Sequence, residues 1–233
     1  MHKNLRLSCL LICVTLIYSG CGLLLNTMGA SLFLSWLFWN LFLAILPVLF
    51  AMSAQFIHHK FQRWNIITFV FSALWLLFLP NACYMVTDLI YLDSSLFIGA
   101  DGTYLPVLSS WIQLFYIVSS VFLALTCGLF STHVIEEILP FKRKMLHRFW
   151  IIAISLLNGY GVYIGRFLRL NSWDILHPVS LIQELLGNID RFTIVFSLMI
   201  AVFYLVAYWI FRCMMKNESE NLNQTKVVLK RHL

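Results

Sequence analysis

The chain has 233 residues, of which 61% are hydrophobic and only 11% are charged, and its mean hydropathy is +0.85. Soluble domains carry about 25% charged residues, so this composition excludes an ordinary soluble enzyme or nucleic-acid-binding module and indicates an integral membrane protein. The formal net charge of +6 is then explained by basic loops at one membrane face, and nucleic acid is not an expected partner.

Five stretches without Asp, Glu, Lys or Arg, at 7–59, 64–87, 102–135, 149–165 and 192–211, can each cross a bilayer as a helix. The first is long enough for two helices, separated where small and polar residues at 26–29 interrupt the aliphatic run. The sequence therefore predicts an all-α, polytopic membrane helix bundle of about six transmembrane helices. The predicted spans are 7–25, 32–54, 64–91 with a break at Pro80, 108–132, 149–168 and 192–212. These helices form a single transmembrane domain at 1–212, and 213–233 is a mobile cytoplasmic tail.

The basic residues are distributed unequally between the loops that this topology places on the two sides. One side carries Lys3, Arg6, Lys60, Arg63, Lys142, Arg143, Lys144, Arg148, Arg212, Lys216, Lys226, Lys230 and Arg231. The other side carries only Arg166, Arg169 and Arg191. Because cytoplasmic loops are enriched in Lys and Arg, both termini are predicted to be cytoplasmic.

The N-terminal helix and the cysteines leave alternatives open. Lys3 and Arg6 ahead of an apolar run also occur in cleavable signal peptides, although we expect an uncleaved helix. Residues 18–21 approach a lipoprotein cleavage pattern, so acylation of Cys21 is a second alternative. The six cysteines form no C-x-x-C pair and have no His at ligand spacing, so we expect no metal and no cofactor.

The third predicted helix acquires a dense set of polar residues at 79–91. Asn81, Tyr84, Asp88 and Tyr91 are spaced i, i+3, i+7 and i+10, which draws one polar stripe along a helix face, with Thr87 beside it. Placing polar groups at membrane depth costs free energy, so a polar stripe on one helix face indicates a functional site. The alternative is a helix that simply becomes polar where it leaves the membrane.

The fifth predicted helix carries a second polar stretch at 161–174. Gly161 and Gly165 form a G-x-x-x-G face that lets another helix approach closely. The charge-free part at 149–165 would reach only about 26 Å, which is less than a hydrocarbon core of about 30 Å. Arg166 therefore starts inside the membrane boundary, either to snorkel towards lipid phosphates or to meet a partner.

The third and fifth helices run in the same direction, so their depths can be compared from Trp64 and Phe149. This comparison places Asn81 level with Arg166, Tyr84 with Arg169, and Asp88 with Trp173 and Asp174. We predict that the two helices are neighbours and that Asp88 pairs with Arg169 or Arg166, since an unpaired carboxylate near hydrocarbon is unfavourable.

The two stretches PNACYMVTDL at 80–89 and GRFLRLNSWD at 165–174 resemble bacterial membrane proteins grouped as the domain of unknown function 1361 family. The resemblance covers most of the chain from the second to the sixth helix and implies a multi-pass protein of the bacterial plasma membrane. Two positions depart from the family pattern, in which Pro is usual at the position of Cys83 and His is frequent at that of Tyr91. The family has no assigned activity, so the resemblance supports the topology and the choice of site residues alone.

The candidate ligand-binding residues are Asn81, Tyr84, Thr87, Asp88, Arg166, Arg169, Asn171, Ser172, Trp173 and Asp174. This set suits an anionic lipid headgroup or a lipid-linked phosphate, because guanidinium binds phosphate bidentately and indole packs beside acyl or isoprenoid chains. Asp88 or Asp174 would be the candidate base, yet no motif of a reaction class is present, so catalytic residues and enzymatic use stay open. The alternatives are a structural or assembly protein whose Arg and Asp residues only pack helices, and a small transporter. The sequence does not indicate an oligomeric state.

We predict that a reporter active only outside the cytoplasm will work when it is fused after Asp101 and will be silent when it is fused after Arg148. The charge asymmetry places these two positions on opposite sides of the membrane. Enzymatic activity of each fusion, normalised to its expression, measures the topology, and the reverse pattern would contradict it.

Overall fold

The computed structural model describes residues 2–27, 35–141, 143–168, 187 and 189–231. These residues form long helices, which are α1 (His2–Thr27), α2 (Ser35–Phe61), α3 (Ile66–Tyr84), α4 (Leu108–Glu137), α5 (Lys144–Tyr163) and α6 (Arg191–Arg231). In the described part of the chain, six helices are long and apolar enough to cross a membrane, by length and composition. The predicted all-α membrane bundle is confirmed.

Two short helical segments extend α3 and α5. The 3-10 helix Met85–Tyr91 continues α3, and the π-helical turn Ile164–Leu168 continues α5. A 3-10 turn at Ser94–Leu96 and an isolated bridge between Ile98 and Tyr104 organise the connection to α4. Departures from α geometry are frequent at functional positions, and here they fall where the sequence predicts the polar site.

The helices pack as a bundle in which α2 contacts α1, α3 and α4, and α5 contacts α3 and α6. The core is mainly apolar and includes the buried side chains of Trp75, Leu79 and Phe130. Several buried polar groups form hydrogen bonds between helices, as in the bond of 2.7 Å between the hydroxyls of Thr132 and Tyr204. Large apolar side chains cover the outer surface of the helices, as expected for a bundle surrounded by lipid.

The two ends of the bundle differ in charge. The basic end is where α1, α3 and α5 begin and where α2 and α4 end, and the opposite end, which we call the Asp88 end, contains the 3-10 helix. At the Asp88 end, Asp190 caps α6 by accepting a hydrogen bond of 2.7 Å from the backbone N–H of Thr193. This backbone bond, together with the Thr193 hydroxyl, lowers the pKa of the exposed Asp190 carboxyl.

The predicted break at Pro80 is misplaced, because α3 continues through Pro80 and ends at Tyr84. Side-chain groups satisfy carbonyls around the change of helix type. The Asn81 amide donates to the Phe78 carbonyl at 3.1 Å, and the Thr87 hydroxyl donates to the Tyr84 carbonyl at 2.6 Å. A proline inside a membrane helix is tolerated where such groups are available.

Other boundaries also differ from the predicted ones. The sequence places Glu136 and Glu137 at the start of a loop, whereas both lie in the last turn of α4. Similarly, α5 begins at Lys144, five residues before the predicted start at 149. Finally, α6 continues to Arg231, well past the predicted end at 212. At these three ends the predicted bounds lie close to flanking charged residues, but charged residues with good helix propensity can extend a helix beyond the hydrocarbon.

We predict that Gly161→Ala will lower the stability of the bundle by about 1–3 kcal/mol, because a Cβ atom at 161 would lie 2.4 Å from Pro80 Cγ. The matched control is Gly20→Ala, since a Cβ atom there meets nothing within 4 Å. Thermal unfolding in one detergent should show a lower midpoint for the first variant only. Equal midpoints for the two variants would show that α3 and α5 do not pack through Gly161.

Candidate functional site

Gly161 of α5 and Gly165 of the π-helical turn allow this segment to lie close to α3. Added Cβ atoms would lie 2.4 Å from Pro80 Cγ at Gly161 and 3.4 Å from Tyr84 Cδ2 at Gly165. The missing side chains therefore let α5 lie directly against α3 over a full turn. The prediction that these helices are neighbours is confirmed.

Asp88 is fully buried, and both of its carboxylate oxygens accept hydrogen bonds. Oδ1 lies 2.5 Å from Nη2 of Arg166, in a salt bridge, and Oδ2 accepts from Nδ2 of Asn40 at 3.2 Å. A charge inside a bundle is tolerated only when it is paired and hydrogen-bonded, and Asp88 meets both conditions. The carboxylate thereby joins α2, the 3-10 helix and the π-helical turn.

Arg166 is held on several sides by the residues around it. Its Nε donates to the Thr87 hydroxyl at 2.8 Å, Nη2 also contacts that hydroxyl, and Nη1 donates to the Tyr91 hydroxyl at 3.3 Å. The guanidinium carbon lies 4.3 Å from the centre of the Tyr84 ring, a cation–π contact. The side chain remains 15% exposed. The result is a guanidinium that is held at several points and partly exposed at the Asp88 end.

The pairing of Asp88 with a guanidinium is confirmed, whereas the predicted level of Arg166 is wrong by about one helical turn. Gly165 packs on Tyr84, so Arg166 lies near Met85 and not beside Asn81. The prediction compared α3 and α5 from Trp64 and Phe149. Because α5 begins earlier, at Lys144, the register of the two helices shifts by about one turn, which brings Arg166 closer to the level of Asp88 than predicted.

The structure brings part of the predicted site together. Tyr84, Thr87 and Asp88 surround Arg166. Asn81 lies one turn below them, where its amide bonds the Phe78 carbonyl. The remaining predicted site residues, Arg169, Asn171, Ser172, Trp173 and Asp174, lie outside the described residues. Asn40, a partner of Asp88, was not among the predicted site residues, although the sequence indicates that it adds a polar group to the second helix.

A second polar cluster, at the basic end, was missed by the sequence interpretation. Glu136 is 7% exposed, and its Oε2 accepts from the Tyr208 hydroxyl at 2.5 Å. Its Oε1 lies 3.1 Å from Nη2 of Arg212 and 3.3 Å from Nδ1 of His147. These contacts connect α4 with α5 and α6.

The neighbouring Glu137 connects α4 with the first two helices. Its Oε2 accepts from Nδ2 of Asn4 at 2.7 Å and from Nε2 of Gln55 at 2.8 Å. Its Oε1 lies 3.4 Å from Nε2 of His133, one turn earlier in α4. The two glutamates therefore link five helices at the basic end.

A signal for this cluster is present in the sequence. Two adjacent glutamates end the charge-free stretch at 102–135, on the side that is otherwise basic. Carboxylates at a helix C-terminus oppose the helix dipole, so their presence there implies specific partners. The positive-inside rule counts basic residues and gives acidic ones little weight, so it does not detect these two glutamates.

Neither cluster forms a metal site within the described ranges, where no group of three or more His, Cys, Asp or Glu side chains is placed to hold an ion. The cysteines are free thiols, with Cys83 buried and Cys21 exposed. The site chemistry rests instead on paired charges, hydroxyls and amides.

This fold defines a polytopic α-helical membrane protein, with a buried ion pair near one end and a carboxylate cluster near the other. The chain belongs to the family described as Protein of unknown function (DUF1361), whose model matches residues 39–207. The match begins in α2 and ends in α6, which confirms the resemblance noted from the sequence. No match to the chain was found among curated proteins or among solved structures.

We predict that Asp88→Asn will lower the free energy of unfolding by about 3 kcal/mol, because it leaves the Arg166 charge without its partner. The double variant Asp88→Asn with Arg166→Gln should cost clearly less than the sum of the two single variants. Unfolding of all four proteins in one detergent completes the cycle. Asp101→Asn, in an exposed loop, is the control for loss of a negative charge. Additive effects would show that the pair contributes no coupling energy.

Proposed function

We propose that the Asp88 end binds an anionic lipid headgroup or a lipid-linked phosphate, with Arg166 as the group that meets the phosphate. One observation carries the proposal: the guanidinium is held at several points by its neighbours, and the Arg166 side chain is still 15% exposed. Thr87 and Asp88 take the N–H groups of Nε and Nη2. Tyr91 accounts for one N–H of Nη1, and the other has no partner within the described residues. That N–H is a donor for a phosphate oxygen.

Preorganisation explains the role of Asp88 in this proposal. An arginine that is already immobilised loses little side-chain entropy when it binds an anion. Asp88 sets the orientation of the guanidinium and acts as a positioning residue. Its charge also cancels that of Arg166, so the attraction for an anion must come from the remaining hydrogen-bond donor and from additional basic residues. Arg169, three residues further along, supplies such a charge in the sequence.

The other predicted residues complete the proposed site. Asn171 and Ser172 would donate hydrogen bonds to headgroup oxygens, and the Trp173 indole would pack beside an acyl or isoprenoid chain. Asp174 would accept hydrogen bonds from headgroup hydroxyls. In this proposal the protein lies in a bacterial plasma membrane with the basic end and both termini on the cytoplasmic side, so the ligand belongs to the outer leaflet.

A structural function is the second candidate, and the burial of Asp88 favours it. The carboxylate is fully buried and both of its oxygens are bonded, which is the arrangement expected for a pair that locks α2, α3 and α5 together. Such a pair can specify one packing without adding much stability. In this case the residues around the ion pair would bind no ligand.

We predict that Arg169→Gln will lose bound anionic lipid while the protein keeps its thermal stability. Arg166 and Asn40 already bond both oxygens of Asp88, and this variant keeps both of those contacts. The measurement is native mass spectrometry of the protein in nanodiscs of phosphatidylcholine, containing either phosphatidylglycerol or a polyprenyl phosphate. Comparing the two lipids identifies the source of the phosphate.

Arg191→Gln is the matched control, since it removes one positive charge at the first residue of α6, at the same end of the bundle. Binding is supported if Arg169→Gln reduces lipid occupancy and Arg191→Gln does not. Equal occupancy in both variants and the unaltered protein, together with a loss of stability in Asp88→Asn, would support the structural function instead.

A further inference from the structure

His147 lies in the first turn of α5, and each of its ring nitrogens faces an oxygen atom. Nε2 lies 2.9 Å from the backbone carbonyl oxygen of Phe141, and Nδ1 lies 3.3 Å from Oε1 of Glu136. A carbonyl oxygen accepts hydrogen bonds and donates none, so Nε2 carries a hydrogen. In a neutral imidazole, Nδ1 is then left with a lone pair and no hydrogen.

A neutral His147 would therefore place one hydrogen-bond acceptor against another. Nδ1 of His147 and Oε1 of Glu136 are both shielded from solvent, and neither makes a hydrogen bond within the described part of the chain. A lone pair beside a carboxylate oxygen is repulsive, and low polarity around the pair strengthens that repulsion. One added proton turns the contact into an attraction between opposite charges.

The surroundings of Glu136 determine which partner holds that proton. The Tyr208 hydroxyl donates to Oε2 of Glu136, and Nη2 of Arg212 lies 3.1 Å from Oε1. A hydroxyl donor and a guanidinium both stabilise an ionised carboxylate. Glu136 is therefore the negative partner, and the proton resides on His147.

Other titratable and charged groups lie on the helices that surround this pair. Besides Tyr208 and Arg212, they are His133 and Glu137 of α4, Lys144 and Arg148 of α5, Lys216 of α6, and Glu218 and Glu220 further along α6. From α1 and α2, the uncharged Asn4 and Gln55 bond Glu137. Among the residues that the structure describes, His147 and Arg212 are the two within ion-pair distance of Glu136. Glu136 thus holds the proton on His147 against the positive charge of Arg212.

We propose that Glu136 and His147 form a proton-binding site, with the proton on Nδ1 of His147 and the negative charge on Glu136. The bound proton joins α4 to the first turn of α5, and its loss sets a lone pair against the carboxylate and weakens this contact. Because Nε2 bonds Phe141, the change also reaches the connection between α4 and α5. Packing at the basic end therefore responds to the pH on that side of the membrane. The site shares no residue with the one proposed at the Asp88 end.

Nitrogen-15 NMR of the full-length protein in phosphatidylcholine nanodiscs, with histidine alone labelled, measures the protonation of His147. The shifts of the two ring nitrogens distinguish imidazolium from each neutral tautomer, and the variant His147→Gln identifies the signal. In the unaltered protein at neutral pH, both ring nitrogens should be protonated. Glu136→Gln should lower the proton affinity of His147 by about tenfold or more, because a neutral amide forms no ion pair.

Glu137→Gln is the matched control, since it removes the same charge from the neighbouring residue, whose histidine contact is with His133 at 3.4 Å. This variant should leave the proton on His147. The proposal is overturned if His147 is neutral in the unaltered protein, a result that requires no substitution within the cluster. It is also overturned if the two variants lower the proton affinity of His147 equally.

Hydrogen exchange of the backbone amides at 147–151, corrected for the intrinsic effect of pH, tests the response of the packing. In the unaltered protein these amides should lose protection as the pH is raised from about 6 to about 9. His147→Gln should abolish this pH dependence, whereas His59→Gln, which changes an exposed histidine of α2 at the same end, should keep it. Constant protection in the unaltered protein, or an unchanged pH dependence in His147→Gln, would contradict the proposed response.

Discussion

Carboxylates inside a membrane bundle need partners, and this requirement determines much of how these helices meet. Asp88 and Glu136 are both buried, at opposite ends of the bundle. Each lies against an arginine, at 2.5 Å for Arg166 and 3.1 Å for Arg212. Without these pairs each charge would face a medium that solvates it poorly. The positions of α5 and α6 beside α3 and α4 are therefore set by charge as well as by packing.

Uncharged amides complete both clusters, and α2 supplies one to each. Asn40 bonds Asp88 near the beginning of α2, and Gln55 bonds Glu137 near its end. An amide satisfies a carboxylate oxygen without adding a charge that would itself need compensation.

The sequence predicted the membrane class, the number of spans and the pairing of Asp88 with a guanidinium. The class and the number of spans follow from the lengths of the charge-free stretches. The pairing follows from the free-energy cost of an unpaired charge near hydrocarbon. It misplaced the depth of Arg166, since residue counting from Trp64 and Phe149 ignores where the helices begin. It missed the cluster around Glu136, because it placed Glu136 and Glu137 in a loop and not at a point where five helices converge. Such convergence depends on tertiary packing, and the periodicity of residues within one helix does not predict it. The role of the residues at 169–174 stays a prediction.

The order of the partners along the chain has a consequence for how the protein enters the membrane. Asn4 and Gln55 precede Glu137, so its partners are already synthesised when α4 emerges. The partners of Glu136 from α6, Tyr208 and Arg212, are synthesised more than 70 residues later. When α4 is newly inserted, the partners of Glu137 from α1 and α2 are therefore present, whereas the partners of Glu136 from α6 are not. Release of the chain from the insertion machinery before α6 arrives would leave that charge exposed to lipid.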